Sequence, residues 1–149
     1  MSTIKVDTYL TRGGASEIAI DKLKGASSAG SMTVVGEGGT TTTNLQQGLL
    51  KCFMDLDGTG TISLHDSFNI SGVVDNGTGV YTPSYTNDFS NRFYGWGGSA
   101  ETATSGQNGR APHQYSDFML TGSTKIGAGY QFGSEDCKHI RVGWWGDLA

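Results

Sequence analysis

One turn chemistry occurs twice, nineteen residues apart: Asp57-Gly58-Thr59-Gly60 and Asn76-Gly77-Thr78-Gly79. Asp-Gly and Asn-Gly supply the positive φ angles that tight hairpins need. Each copy lies between runs that alternate apolar and polar residues. Leu50, Cys52, Met54 and Leu56 share one face, and Ile62, Leu64, Phe68 and Ile70 share another, with Asp66 interrupting it. A charge in an inward row points to a bulge or to a polar contact between subunits. Period-two runs joined by such turns predict a β-meander. Ile126, Ala128, Tyr130 and Phe132 alternate in the same way, as do Ile140, Val142 and Trp144. No stretch of ten residues carries a helical period. Asn44 can cap one helical turn in NLQQGLLK.

The stretch MDLDGTG also opens like a calcium loop, with Asp55 and Asp57 at its first and third positions. An EF-hand loop ends on a bidentate glutamate at its twelfth position, between two helices. Here that position is Asp66, and the flanks alternate as strands do, so the hairpin is the stronger reading and no metal is expected.

Composition agrees with an all-β chain. The chain of 149 residues holds 24 glycines, only 36% hydrophobic residues and 16% charged ones, a balance that suits many short strands and turns. A net charge of −4 argues against a nucleic-acid partner, whose footprint is basic. No apolar run reaches the ~20 residues of a membrane helix. The N-terminus lacks the apolar core of a signal peptide, which predicts synthesis in a cytoplasm without export by that route. Cys52 and Cys137 then read as small buried thiols rather than as a disulfide or a zinc pair.

The first 48 residues differ from the rest. Ile4, Val6 and Leu10 alternate, Ile18 and Ile20 follow, and the Gly/Ser/Thr-rich stretch from Gly25 to Gly48 has Val34 in its one short extended piece. Such a segment buries too little surface to offset its chain entropy. Ile4, Val6, Leu10, Ile18, Ile20 and Val34 are therefore expected to pack on another copy or on another protein. The expected architecture is all-β: an extended arm over residues 1–48, then an antiparallel β-sandwich or barrel-like knob over 49–149.

Residues Gly95 to Asp117 show no period and read as a long loop. Long loops in compact domains are often functional. This one offers Trp96, Arg110, His113 and Tyr115 for contact with a host or partner surface, and Trp96 also suits the core. Trp144 and Trp145 fall on opposite faces of one strand, one in the core and the other at an interface. Ser63, His65 and Asp66 have the residue types of a hydrolase triad, but no nucleophile elbow surrounds the serine. His65, His113 and His139 are too far apart for a local metal motif.

Three stretches carry a family resemblance. STIKVDTYLTRGG, the central NLQQGLLKCFMDLDGTGTISLHDSFNISGVVDNGTGVYTPSYTNDF, and the closing HIRVGWWGDLA resemble structural fibre proteins of marine bacteriophages, above all those of cyanobacteria. The central match is the longest and most specific, and the Gly95–Asp117 stretch is peculiar to this chain. Two features depart from the pattern. Cys52-Phe53 stands where the family has tryptophan, and Pro83 interrupts a strand that is otherwise proline-free. Proline cannot donate to a ladder, so that strand should lie at an edge or break there. The resemblance implies a virion protein without catalytic residues or cofactor. It also implies a homotrimer, in which symmetry completes the core that a single arm lacks.

The leading expectation is thus a short trimeric tail fibre or fibre-like appendage, joined to other virion proteins through its arm and touching a host glycan or protein with its knob. The alternative is a capsid decoration, head-fibre or adaptor protein without receptor binding, because the chain has no shaft repeat. A glycan hydrolase would need a carboxylate pair, and no spacing nominates one among Glu101, Asp117, Glu135 and Asp136.

Overall fold

The computed structural model describes residues 32–102, 110–130 and 133–149. Ile4, Val6, Leu10, Ile18 and Ile20 lie outside them. Among the described residues the chain is mostly β, and every strand pairing is antiparallel.

A small hairpin comes first. β1 (Thr33–Val35) pairs with β2 (Thr42–Asn44), with Val34 opposite Thr43. The stretch expected to hold one extended piece therefore holds two. Gly39 takes a positive φ of 76° in the connecting turn, and threonines supply the second strand. A single helical turn, α1 (Leu45–Gly48), follows. Asn44 caps it as expected, its side-chain oxygen accepting from the Gln46 N–H at 2.8 Å and the Gln47 N–H at 3.2 Å.

Two larger sheets hold the core. The first has four strands in the order β4-β3-β11-β7: β3 (Cys52–Asp57), β4 (Ser63–Phe68), β7 (Gly95–Glu101) and β11 (His139–Trp145). The second is centred on β9 (Ile126–Tyr130). β8 (Ala111–Gln114) runs along one side of β9, and β6 (Val80–Tyr85) and β10 (Gly133–Ser134) share the other. β5 (Ile70–Asp75) pairs with the far side of β6. The strands do not close into a barrel.

Both repeated turns form hairpins, β3–β4 and β5–β6. Gly60 and Gly79 have φ of 63° and 65°, the left-handed region that glycine enters without steric cost. One later segment holds both tips. Asp136 accepts from the Gly79 N–H at 2.6 Å and from the Tyr81 hydroxyl at 3.0 Å. The Gly58 N–H donates to the Cys137 carbonyl at 2.8 Å, and the Tyr81 hydroxyl lies 3.1 Å from the Gly58 carbonyl oxygen.

The sheets share one hydrophobic cluster. Met54, Leu56, Ile140, Val142 and Trp144 enter it from the four-stranded sheet; Tyr81, Tyr85, Ile126 and Ala128 enter it from the other. Burying one such large side chain is worth roughly 1.5–3 kcal/mol. Tyr85 stands edge-on to Phe89, Tyr94 and Trp144 at centroid distances of 5.1, 6.0 and 5.9 Å, the packing that ring quadrupoles favour. Cys52 and Cys137 are both buried free thiols.

Two expectations need correction. Leu64 and Phe68 do not share a face, because the register of β4 against β3 slips between Asp55 and Leu56. Leu64 pairs with Leu56, whereas Phe68 pairs with Phe53 and is exposed. The same bulge carries Asp66 out of the inward row. Secondly, Gly95 to Asp117 is not one loop: it contains β7, β8 and a 3₁₀ turn over Ser116–Phe118. Glycines hid β7. A Cβ on Gly95 would strike the Trp145 indole, and one on Gly98 would strike the Arg141 carbonyl. The expectation for Pro83 is met in its second form: β6 lies between β5 and β9 and its pairing with β9 breaks at the proline. Its register with β9 covers only Val80 and Tyr81, so the ladder breaks before the proline, and the Pro83 carbonyl instead accepts from the Thr124 N–H.

Candidate functional site

The outward face of the four-stranded sheet concentrates charge and chemistry. Strand alternation builds it. Cys52, Met54 and Leu56 point into the core, so Phe53, Asp55 and Asp57 point out. On β11, Ile140, Val142 and Trp144 point in, and His139, Arg141 and Trp145 point out. The register sets Asp55 opposite Arg141 on one side and opposite Asp66 on the other, and sets His139 opposite Glu101. The bulge leaves His65 without a partner in the ladder. Bulges of this kind re-aim a side chain, and His65 comes to rest beside β11.

Four side chains meet there. The imidazoles of His65 and His139 are 4.8 Å apart, centroid to centroid, and tilted by 31°. His139 Nδ1 is 3.1 Å from Asp55 Oδ1, and His65 Nε2 is 3.8 Å from Asp57 Oδ2. Arg141 Nε donates to Asp55 Oδ2 at 3.2 Å, and its Nη1 donates to Glu101 at 3.3 Å. Asp57 is held by Thr59, whose hydroxyl donates to Oδ1 at 2.6 Å and whose N–H donates to the same oxygen at 2.9 Å. The hydroxyl bond first, and the N–H bond second, hold its carboxyl below the ordinary range. The histidines are partly open to water, with side-chain exposures of 39% for His65 and 27% for His139.

Beside this cluster the face dips into a depression of about 510 Å³, lined by Leu50, Phe53, Asp55, Asp66, Arg141 and Gly143 among others. Exposed Phe68 stacks at 6.5 Å on Phe53. The surface is thus half apolar and half ionic, which suits recognition of a partner.

The four residues expected to form one contact loop are dispersed. Trp96 pairs with Trp144 across β7 and β11 and packs, partly buried, against the core. Arg110 makes a bidentate pair with Glu135 at 2.9 and 3.2 Å and lies over the Tyr130 ring at 5.3 Å. It ties β8 to β10 and points its charge at its own chain. His113 covers Gly127 on the neighbouring strand and meets Tyr115 edge-on at 5.3 Å. Tyr115 in turn meets Phe118, over which Lys125 Nζ sits at 3.9 Å. Only His113 and Tyr115 come together, in an aromatic patch with Phe118 and Lys125.

The triad types do not converge either. Ser63 pairs with Asp57 in the ladder, Asp66 accepts from the Ser67 N–H at 2.7 Å, and His65 faces Asp57 and His139. Of the four carboxylates weighed for sugar hydrolysis, Glu101, Glu135 and Asp136 are bonded to Arg141, Arg110 and the Gly79 turn. The cluster around His65 and His139 was invisible to local spacing, because 84 positions separate Asp55 from His139. The alternation of both strands placed Asp55 and His139 outward, but their register was needed to join them.

Comparison with family models, curated proteins and solved structures returns no match for this chain.

Proposed function

We propose that the chain is a non-enzymatic structural protein of a bacteriophage particle, a short trimeric tail fibre or fibre-like appendage that contributes to host attachment. Residues 1–48 serve as the arm that joins sister chains and other virion proteins. Residues 49–149 form a β-sandwich knob, exposed on the particle, with the His113, Tyr115 and Phe118 patch available to a host glycan or protein. The central stretch that resembles phage fibre proteins motivates the reading.

The observation that carries it lies in the arm. From Met32 to Gly48 no residue is buried, and Val34 and Val35 are both exposed. A two-stranded hairpin is marginal by itself. Apolar residues there call for a partner, and identical neighbours under threefold symmetry provide one.

Light scattering on the full chain and on the chain lacking residues 1–48 tests this. A threefold mass that falls to the monomer on truncation is expected. A monomer in both forms would overturn the trimer. In that case the second reading, a capsid decoration or adaptor protein whose arm docks on a different virion protein, takes its place. Antibody labelling of particles at head or tail separates the two sites.

A further inference from the structure

We propose that Asp55, His65 and His139 form a binding site for a divalent transition-metal ion of the zinc class. One ligating atom from each residue falls within 4.8 Å of the others. Zinc takes imidazole nitrogen and carboxylate oxygen at about 2.0–2.2 Å, which spaces tetrahedral ligands roughly 3.3 Å apart. His139 Nδ1 and Asp55 Oδ1 already stand at 3.1 Å. Small rotations of the partly exposed His65 ring close the remaining gap. Two imidazoles and a carboxylate suit zinc, cobalt, nickel or copper rather than magnesium or calcium, which prefer oxygen alone.

The surroundings favour an ion over a simple ionic network. Asp55 already has Arg141, which holds Oδ2 and leaves Oδ1 turned to His139. An Asp–Arg pair has no use for two imidazoles beside it. The two rings lie 4.8 Å apart, centroid to centroid, and a neutral imidazole has one ring nitrogen whose lone pair a cation can take. Arg141 then acts as an outer partner that orients the carboxylate, as such partners do in known metal sites. Asp57 is fixed by Thr59 and lies 3.8 Å from His65 Nε2, outside the three-residue group, where it borders the site beside His65. The three positions come from three adjacent strands, β3, β4 and β11, so the ion would pin the β4 bulge to the centre of the sheet.

Cobalt(II) titration of the full chain, followed by visible absorption and zinc competition, tests the site. Visible bands of an N/O-ligated cobalt ion should appear with one ion per chain, and zinc should abolish them. No thiolate band should develop, since Cys52 and Cys137 are buried. His65→Gln and His139→Gln should each weaken binding by about tenfold or more, and His113→Gln should leave it unchanged. Failure to develop the bands, or equal weakening by all three substitutions, would overturn the proposal. If either variant fails to fold, ¹⁵N imidazole spectra of the unmodified protein decide. Zinc should move the ring nitrogens of His65 and His139 and leave those of His113 in place, and the reverse pattern sinks the site.

Discussion

The arm from Met32 to Gly48 and the knob that follows are built from similar strand residues and end in different states. Val34 and Val35 are more than half exposed, at 53% and 57%; Val142 and Ile140, also on a short strand, are 3% and 0% exposed. The difference is in partners, not in propensity. Among the described residues β1 has one neighbour, pairs over three residues, and meets nothing on either face that buries it. β11 is flanked on both sides by paired strands and covered by a second sheet. A strand becomes core only when both its edge and its face are answered. The knob supplies both from its own chain; for β1 the described residues do not supply both, which is what the proposed assembly would answer.

The sharpest way to break this comparison is to damage the knob's centre. Trp144 is fully buried between the sheets. Trp144→Ala should cost about 3–5 kcal/mol of unfolding free energy, read by urea denaturation. The loss should be the same with or without residues 1–48. A truncated chain that is already much less stable would mean that the arm belongs to the knob's cooperative unit.

A smaller loss should follow from releasing the two hairpin tips. Asp136→Ala removes the acceptor for the Gly79 N–H and the Tyr81 hydroxyl. Leaving such donors unpaired costs about 1–3 kcal/mol. Amide exchange should accelerate at Gly79, and at Gly58, whose carbonyl shares Tyr81. Exchange in β1 and β2 should not change. An effect that reached the arm would show that the arm is energetically joined to the knob.

The repeated turns were legible in the sequence because a hairpin is a local object. Four residues fix its φ angles, and the flanking alternation fixes its faces. The Asn44 cap was legible for the same reason. β7 was not, since Gly95, Gly97 and Gly98 present no apolar row to read. Their lack of side chains answers to Trp145 and to the Arg141 backbone, both on a strand more than forty positions later. The bulge that separates Leu64 from Phe68 and delivers His65 to His139 was foreshadowed only by Asp66 in the wrong row. Its outcome depends on the register of β4 against β3 and of β3 against β11, which no window of sequence contains. Trp96 and Arg110 were singled out as contact residues because Gly95 to Asp117 reads as one long loop. The core claims one and Glu135 the other, leaving His113 and Tyr115 as the pair with open surface.

Alkali should separate the regions more gently. Burial pushes the Cys52 thiol up to about 12 and raises that of Cys137 as well. An unfolded thiol ionises near 8.5. Between these values the unfolded chain has lost its proton and the folded chain has kept it, so rising pH favours unfolding. The thiols' contribution should be flat below about pH 8, and stability should fall above it, by up to about 1.4 kcal/mol per pH unit from Cys52 alone. Cys52→Ala should make that decline shallower. The arm's part in assembly contains no cysteine, so mass by light scattering should hold until the knob itself unfolds.

The smallest change in stability should come with the clearest change in assembly. Val34→Ser and Val35→Ser alter side chains that the chain leaves in water. Exposed substitutions away from special features stay within about 0.5 kcal/mol, so the denaturation midpoint of an isolated chain should barely move. If these valines pack on sister chains, removing two apolar surfaces from each of three copies weakens every contact at once, because a symmetric interface repeats each loss. The measured mass should then fall with dilution in the double variant and not in the original protein. A double variant that keeps its full mass at the same dilutions would place the assembling surface elsewhere. The next candidate is the outward face of the four-stranded sheet, where Leu50, Phe53 and Phe68 border the depression beside Asp55. Phe68→Ser would carry the same test there, since Phe68 is 53% exposed and its loss is equally light on the fold.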